Sequence, residues 1–404
     1  MLTRLIEFVT SLVVLLFAAL PMLVLLSIRR LFGGKVCFLK QAYYLNTSST
    51  LKAKLFNTKH IYLNTLPLYS HVLSGKLNII GSSLRPIEEV TSGLEIGKPG
   101  ILSIWLIRRI NKIDYEGRDN IDLEYLKNRS IKKDFMILVK SLLALSAKVG
   151  ANKTPEKIDL LGINFLNCSM SAALELISRT VDMNKKEKFY FMNPDCFNKL
   201  FEDEEYRAIM EKSDNVFPDG SGVNLACTMI GKDLRHNVNG TDMLPYLCEM
   251  VEKNRYRLFL LGAKPGITEK MKKNLEEKYP DLIVCGTNDG YFDRENESDI
   301  VIDRINKSQA NILLVAFGVP LQEKWIEKNF HELQINAAIG VGGLFDFYSG
   351  TMPRAPKWMR ELGIEWVFRL MMEPKRMWRR YIIGNPLFLK RVRTWKKEQN
   401  KVNN

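Results

Sequence analysis

Residues 257–266 read RLFLLGAKPG and residues 311–320 read NILLVAFGVP. Each is a short uninterrupted apolar run that ends in glycine and a turn. Strands apolar on both faces belong to a parallel sheet covered by helices, whereas a half-exposed strand alternates. The same grammar recurs in IDLLGI (158–163), FYFMN (189–193), NVFPDG (215–220), LIVCGT (282–287) and NAAIGVGGLFDF (336–347), with helical patterns between them. The expected fold of this half is α/β, doubly wound around a parallel sheet.

The 404 residues suffice for two or three domains. Apolar residues make up 46% and charged residues 26%, which excludes wholesale disorder and a polytopic membrane protein. Lys and Arg total 59 against 45 Asp and Glu, a net charge of +14, so an anionic partner is expected. No nucleic-acid-binding module accompanies that charge, so nucleic acid is not the expected partner. The six cysteines show no CxxC spacing or Cys/His cluster, so neither a structural zinc nor a disulfide framework is expected.

The remainder of the chain is organised differently. An uncharged run, FVTSLVVLLFAALPMLVLLSI (8–28), has the length of a bilayer core and is followed by Arg29 and Arg30 rather than a cleavage site. Pro21 inside it favours a kink, so a re-entrant helix is expected ahead of a straight span. A loop-rich stretch at about 35–58 and a basic amphipathic region up to 145 complete a membrane-associated, α-rich domain, residues 1–149. A linker is read at 150–156 (GANKTPE), the sheet domain at 157–357, and a basic, tryptophan-rich helical arm suited to the headgroup layer at 358–404.

In open α/β sheets the ligand lies beyond the carboxyl ends of the strands. The residues there are Asn193, Asp219, Gly262, Gly318, Gln322, Gly342, Gly343 and Asp346. Glycines at such ends let backbone N–H groups approach a pyrophosphate, which points to a nucleotide-like ligand. LGAKPG is not GxGxxG and no Walker motif occurs, which speaks against dinucleotide oxidoreductases and P-loop ATPases. Asp219, between Pro218 and Gly220, suits either proton abstraction from a sugar hydroxyl or a turn and helix cap. No D-x-D pair is present to hold a divalent ion, so metal-independent transfer without a cofactor is expected, with phosphate charge met by helix ends and arginines.

FPDGSGV, VNGTDMLP, LFLLGAKPG, GTNDGYF, LLVAFGVPLQEKWI, IGVGGLFDFYSGTMPRAPKWMRELGIEW and RRYIIGNPLFL occur in an order that resembles the WecG/TagA/CpsF glycosyltransferases, over roughly residues 157–393. The resemblance implies metal-independent transfer of a sugar, usually N-acetylmannosamine, from a UDP-sugar to an undecaprenyl diphosphate-linked sugar at the membrane face. It implies Asp219 as the base, Asn193 and Gln322 in the pocket, and Asp346 with the glycines at the nucleotide. Arg369, Arg376 and Arg379 match the arm residues that hold the lipid diphosphate. The chain departs from the family at Phe191-Met192-Asn193, where T-x-N is common, and at Asn237, where an Arg precedes V-x-G; Arg235 lies two residues away.

Residues 1–147 are similar to the bacterial sugar transferases, monotopic phosphoglycosyl transferases, through LNTLPLYSHVLSGKLNIIG (63–81), KPGILSIW and DLEYLKNRSIKKDFMILVKSLL. That family's Asp-Glu catalytic pair is Asn64-Thr65 here, its K-F-R-T-M segment is not recognised, and GPRP reads GSSLRP. An amide cannot form the phosphosugar ester, so this domain is expected to be inactive, to anchor the chain and to pair with an active initiating transferase. Glu88-Glu89 fall outside the motif. The expected location is the cytoplasmic face of a bacterial inner membrane, in cell-surface polysaccharide synthesis. The competing readings are a bifunctional initiating enzyme and a noncatalytic membrane scaffold.

Overall fold

Apolar periodicity and turn chemistry divide the chain into two units, residues 1–150 and 151–404, in a computed structural model that describes residues 2–31, 38–46, 49–58, 60–87, 97–113, 116–143 and 155–402. Residues 150–154 of the expected linker, and Glu88 and Glu89, lie outside the described residues.

In the first unit the uncharged run is helical from Leu2 to Leu31. Pro21 lacks an N–H and its ring crowds the carbonyl four residues back. The helix absorbs this as a π turn over Leu15–Ala19, which widens the hydrogen-bond ladder just before the proline. The segment Arg4–Ile28 is long and apolar enough to cross a membrane, with a mean hydropathy of 2.7. One side of it packs on the unit: Ala19 and Leu26 bury against Phe56, and Arg4 Nη2 donates to the Leu73 carbonyl at 3.2 Å. The other side presents Phe17 (78% exposed) and Leu25 (62%) to the surroundings.

The stretch at 35–58, read above as loop-rich, contains an antiparallel hairpin of β1 (Phe38–Asn46) and β2 (Ser49–Phe56). The alternation in LKAKLF carries it: Leu51 and Ala53 point inward and are buried, while Lys52 and Lys54 point outward. The short strands β3 (Asn78–Ile80), β4 (Ser82–Ser83), β5 (Arg85–Pro86) and β6 (Pro99–Leu102) follow, with β5 joining the hairpin and β6 pairing with both β3 and β4. A Cβ on Gly100 would lie 2.1 Å from the Gly81 amide, so only glycine permits that crossing. Arg85 is buried and paired with Asp119 and, at 2.7 Å, with Asp122.

The second unit opens with β7 (Lys157–Leu160) and β8 (Ile163–Leu166). IDLLGI, expected among the parallel strands, instead begins this separate antiparallel hairpin. Its turn residues Leu161 and Gly162 both have positive φ, as a two-residue hairpin turn requires. The main sheet comprises β9 (Glu187–Met192), β10 (Asn215–Pro218), β11 (Arg257–Gly262), β12 (Ile283–Asn288), β13 (Ile312–Ala316) and β14 (Ala337–Gly340). All neighbours are parallel, in the order β10-β9-β14-β13-β11-β12. Every residue of β13 and β14 is buried, as expected for strands covered on both faces. The chain leaves β11 outward to β12 but leaves β13 the opposite way to β14, so a crevice opens at the carboxyl ends of this neighbouring pair.

The arm is a chain of short helices, Lys357–Glu361, Glu365–Met372 and Pro374–Trp378, then a π turn over Arg379–Gly384 and a last helix, Asn385–Val402. That last helix is part of the core: Phe388 and Val392 are fully buried, and the Phe388 ring lies 5.4 Å from that of Phe197.

Candidate active site

Asp219 follows β10 directly, and its backbone N–H donates to the Met192 carbonyl at 2.9 Å, which sets the end of β10 beside the end of β9. There Asn193 caps the helix Pro194–Lys199, its Oδ1 accepting from the amides of Asp195 (3.0 Å) and Cys196 (3.2 Å). The cap fixes the amide orientation, and the free end, Nδ2, donates to Asp219 Oδ2 at 3.4 Å. Gly220, at φ 96°, turns the chain into the helix Ser221–Met229, and its N–H donates to Asn237 Oδ1 at 2.6 Å. Asn237 thus serves as a backbone brace where the family commonly has Arg. Phe191, in place of the usual Thr, packs its ring 5.6 Å from that of Phe217. Arg235 lies near Cys168 and its backbone N–H donates to Asn167 Oδ1 at 2.7 Å.

Burial pushes the Asp219 carboxyl above the usual carboxylate range, while Arg369, the Asn193 amide and Arg380 pull it back and Glu365 adds to the rise. Arg369, Arg380 and Glu365 are groups of the arm, so the arm brings its charges to the carboxylate. Arg369 lies 3.5 Å from Glu365 and stacks 4.6 Å from the centre of the Phe347 ring. Arg380 Nε lies 3.6 Å from Asp195 Oδ2. Arg354 joins the start of the helix Gly240–Asn254 to the arm through Asp242 and, at 3.9 Å, Glu365.

Among the residues singled out from sequence, Asn193, Asp219 and Arg369 come together. Arg376 and Arg379 are exposed, and Arg376 pairs with Glu373 at 2.6 Å. Arg380, which sequence reasoning missed, approaches the carboxylates instead. The break at Pro374 and the π turn from Arg379 shift the angular phase of the arm, which counting along one regular helix does not anticipate. The Arg379-Arg380 doublet was the available signal.

The second group lines the crevice from below. Gly262, at φ 127°, stands so close to Ala316 that a Cβ would lie 2.6 Å from its carbonyl oxygen. Gly318, at φ 81°, accepts from the Gln322 amide at 3.0 Å. The Gln322 side chain is buried; its Oε1 accepts from Gly342 N–H at 2.9 Å and its Nε2 donates to Glu323 Oε1 at 2.8 Å. It therefore shapes the Gly342-Gly343 loop from beneath. Glu323, also buried, has its carboxyl pushed up to about 7 by burial, with Gln322 opposing. Asp346 is partly exposed, and its carbonyl accepts from Met352 N–H at 2.9 Å, folding the segment after β14 back on itself.

Residues 158–402 match the model of the glycosyl transferase WecG/TagA/CpsF family, and residues 57–148 match that of the bacterial sugar transferases. Proteins named N-acetylglucosaminyldiphosphoundecaprenol N-acetyl-beta-D-mannosaminyltransferase are similar to this chain. Those of Bacillus spizizenii and Bacillus subtilis are 29% identical over 54% of this chain, covering 84% and 85% of the relatives. That of Staphylococcus aureus strain MW2 is 29% identical over 61% of this chain and 95% of the relative. Through the match over its second unit, the chain belongs to the WecG/TagA/CpsF family of glycosyl transferases.

Proposed function

We propose that the protein is a membrane-associated inverting glycosyltransferase that moves an N-acetylhexosamine, N-acetylmannosamine in the first instance, from a UDP-sugar to a sugar carried on undecaprenyl diphosphate. The observation that carries this is the half-buried Asp219 carboxylate, hydrogen-bonded by Asn193 and within the electrostatic reach of Arg369 and Arg380. Its raised proton affinity suits a general base working near neutral pH.

In the step proposed, Asp219 takes the proton of the acceptor hydroxyl as that oxygen bonds to the anomeric carbon of the donor. The bond from that carbon to the UDP oxygen breaks, its electron pair leaves with UDP, and the anomeric centre inverts. Gly262, Gly318, Gly342, Gly343 and Asp346 lie at the strand ends where a nucleotide binds in this architecture. Arg369 and Arg380, with Arg376 and Arg379 between them in the chain, hold the acceptor diphosphate by forked, charge-assisted hydrogen bonds, in a reaction run without a metal. The relatives' names, with an N-acetyl-beta-D-mannosaminyl group transferred to N-acetylglucosaminyldiphosphoundecaprenol, support the sugar moved and the acceptor.

The first unit we propose to be catalytically silent and to keep the chain at the cytoplasmic face of the inner membrane, where the lipid-linked acceptor resides, beside an active initiating transferase. Asn64 replaces the nucleophile, and its amide is occupied: Oδ1 accepts from Thr58 N (2.8 Å) and Oγ1 (2.6 Å), and Nδ2 donates to Thr58 O (3.2 Å). Thr65 Oγ1 donates to the Tyr62 carbonyl at 2.9 Å. Arg85, the remnant of GPRP, is committed to Asp119 and Asp122. The test is UDP release by the full chain given UDP-N-acetylmannosamine and N-acetylglucosamine-diphosphate-undecaprenol. Release that requires both substrates supports the reading, and release of UMP with undecaprenyl phosphate alone contradicts the silent first unit.

A further inference from the structure

The hairpin register sets Lys40 directly opposite Lys54 and Ala42 opposite Lys52. Side chains alternate along a strand, so Lys40, Lys52 and Lys54 share one face of the hairpin. All three are exposed, and among the described residues no carboxylate pairs with any of them. Like charges opposed across an antiparallel pair destabilise it, so this face is unfavourable unless an anion meets it. Lysine on an edge strand can serve only to prevent edge-to-edge association. That explains Lys52 and Lys54 on the edge strand β2, and it extends to Lys40, because β5 pairs with β1 only at Tyr43 and Tyr44; the case for an anion rests on the opposed lysines together with where their face lies.

The same face supplies a second observation. Its next pair is Phe38 opposite Phe56, and these rings pack on the apolar helix at Leu15, Ala19, Met22, Leu23 and Leu26. Lys54 Nζ lies 5.8 Å from the centre of the Phe38 ring. The lysines therefore stand on the side of the sheet where the helix lies, one and two register steps from it. The helix carries exposed Phe8, Leu12, Phe17, Leu20, Leu25 and Ile28. A bilayer that covers this stripe brings its headgroups to the flank of the helix, within reach of lysine side chains that keep their stems on apolar surface and their ammonium groups in the polar layer.

We propose that Lys40, Lys52 and Lys54 form a docking surface for the headgroups of anionic phospholipids. The inference rests on the membrane-associated reading of the first unit and adds to it a lipid preference and the residues that set it. The full chain is equilibrated with vesicles of phosphatidylcholine and with vesicles of phosphatidylcholine and phosphatidylglycerol in equal parts, and the bound fraction is measured by flotation. Partition is expected to rise with phosphatidylglycerol and to fall with salt. The triple variant K40Q/K52Q/K54Q is expected to lose that gain, about fivefold per lysine and roughly a hundredfold in all, while keeping its binding to phosphatidylcholine through the helix. The triple Lys→Arg variant is expected to retain the gain, which separates loss of charge from loss of fold.

A triple glutamine variant that keeps the full phosphatidylglycerol dependence overturns the proposal. So does a wild-type chain that binds both vesicles equally, although that result leaves the membrane-associated reading intact. A chain that binds neither vesicle overturns both. Preference for undecaprenyl phosphate in phosphatidylcholine vesicles, with no response to phosphatidylglycerol, assigns the surface to the polyprenyl substrate and also overturns the proposal.

Discussion

Asn193 Nδ2 donates to Asp219 Oδ2 at 3.4 Å while Asn193 Oδ1 caps the following helix. One amide thus positions the carboxylate and lowers its proton affinity, against burial that raises it. Asn193→Asp keeps an acceptor for the cap but removes the donor and sets a second negative charge beside Asp219. Because the base acts deprotonated, activity is lost as pH falls through its pKa. The acidic limb of the kcat/KM profile is expected to lie above the ordinary carboxylate range in the wild type and to move higher in Asn193→Asp. A purely structural role for Asn193 would lower the rate and leave the limb in place.

Arg380 lies beside Asp195 and is felt by Asp219, whereas Arg379, one residue earlier, faces outward. Losing one charge-assisted contact to a diphosphate corresponds to about 10–100-fold in affinity. Arg380→Ala is expected to raise KM for the lipid-linked acceptor by that order and to change KM for the UDP-sugar far less. Arg379→Ala is expected to have the smaller effect on the acceptor. Steady-state kinetics with each substrate varied in turn checks the contrast.

Glu323 supports Gln322 and through it the Gly342 loop. Its folded-state pKa, about 7, lies above the ordinary value of 4.5, so the associated stability is fully present in acid and is lost as pH rises through about 7. The displacement corresponds to about 3 kcal/mol at alkaline pH. Glu323→Gln preserves an acceptor for Gln322 and removes the titration. Denaturant midpoints measured from mildly acidic to mildly alkaline buffer are expected to decline more steeply for the wild type than for this variant.

Asn64 holds both the backbone and the hydroxyl of Thr58. Its replacement by Ala leaves these groups without their partner and is expected to destabilise the first unit by about 1–3 kcal/mol. Asn64→Asp retains the acceptors but loses the donor to the Thr58 carbonyl, and is expected to destabilise less than Asn64→Ala. Neither variant is expected to change the rate of glycosyl transfer in protein that remains folded. Thermal melts and the transfer assay together check this.

The uninterrupted apolar strands of the second unit and the polar residues at their ends were legible because burial on both faces leaves a direct mark on sequence. The hairpins were not. In KIDLLGINFL the alternation is masked by the leucine at the turn, whose positive φ is a conformation that composition does not reveal. At 38–56 the lysines made a strand look like a loop, because their alternation with Leu51 and Ala53 serves a sheet with one exposed face. The convergence of Arg369 and Arg380 on Asp219 depends on a helix break and a π turn, features set by tertiary packing rather than by local pattern.

The base assignment is tested most directly by Asp219→Asn in the UDP-release assay with both substrates at saturation. The side chain is near-isosteric and can still accept from Asn193, so the fold and both binding sites are expected to persist. The rate is expected to fall by about 10²–10⁴-fold, the usual contribution of a positioned general base. A variant that turns over at the wild-type rate would contradict the role given to this carboxylate.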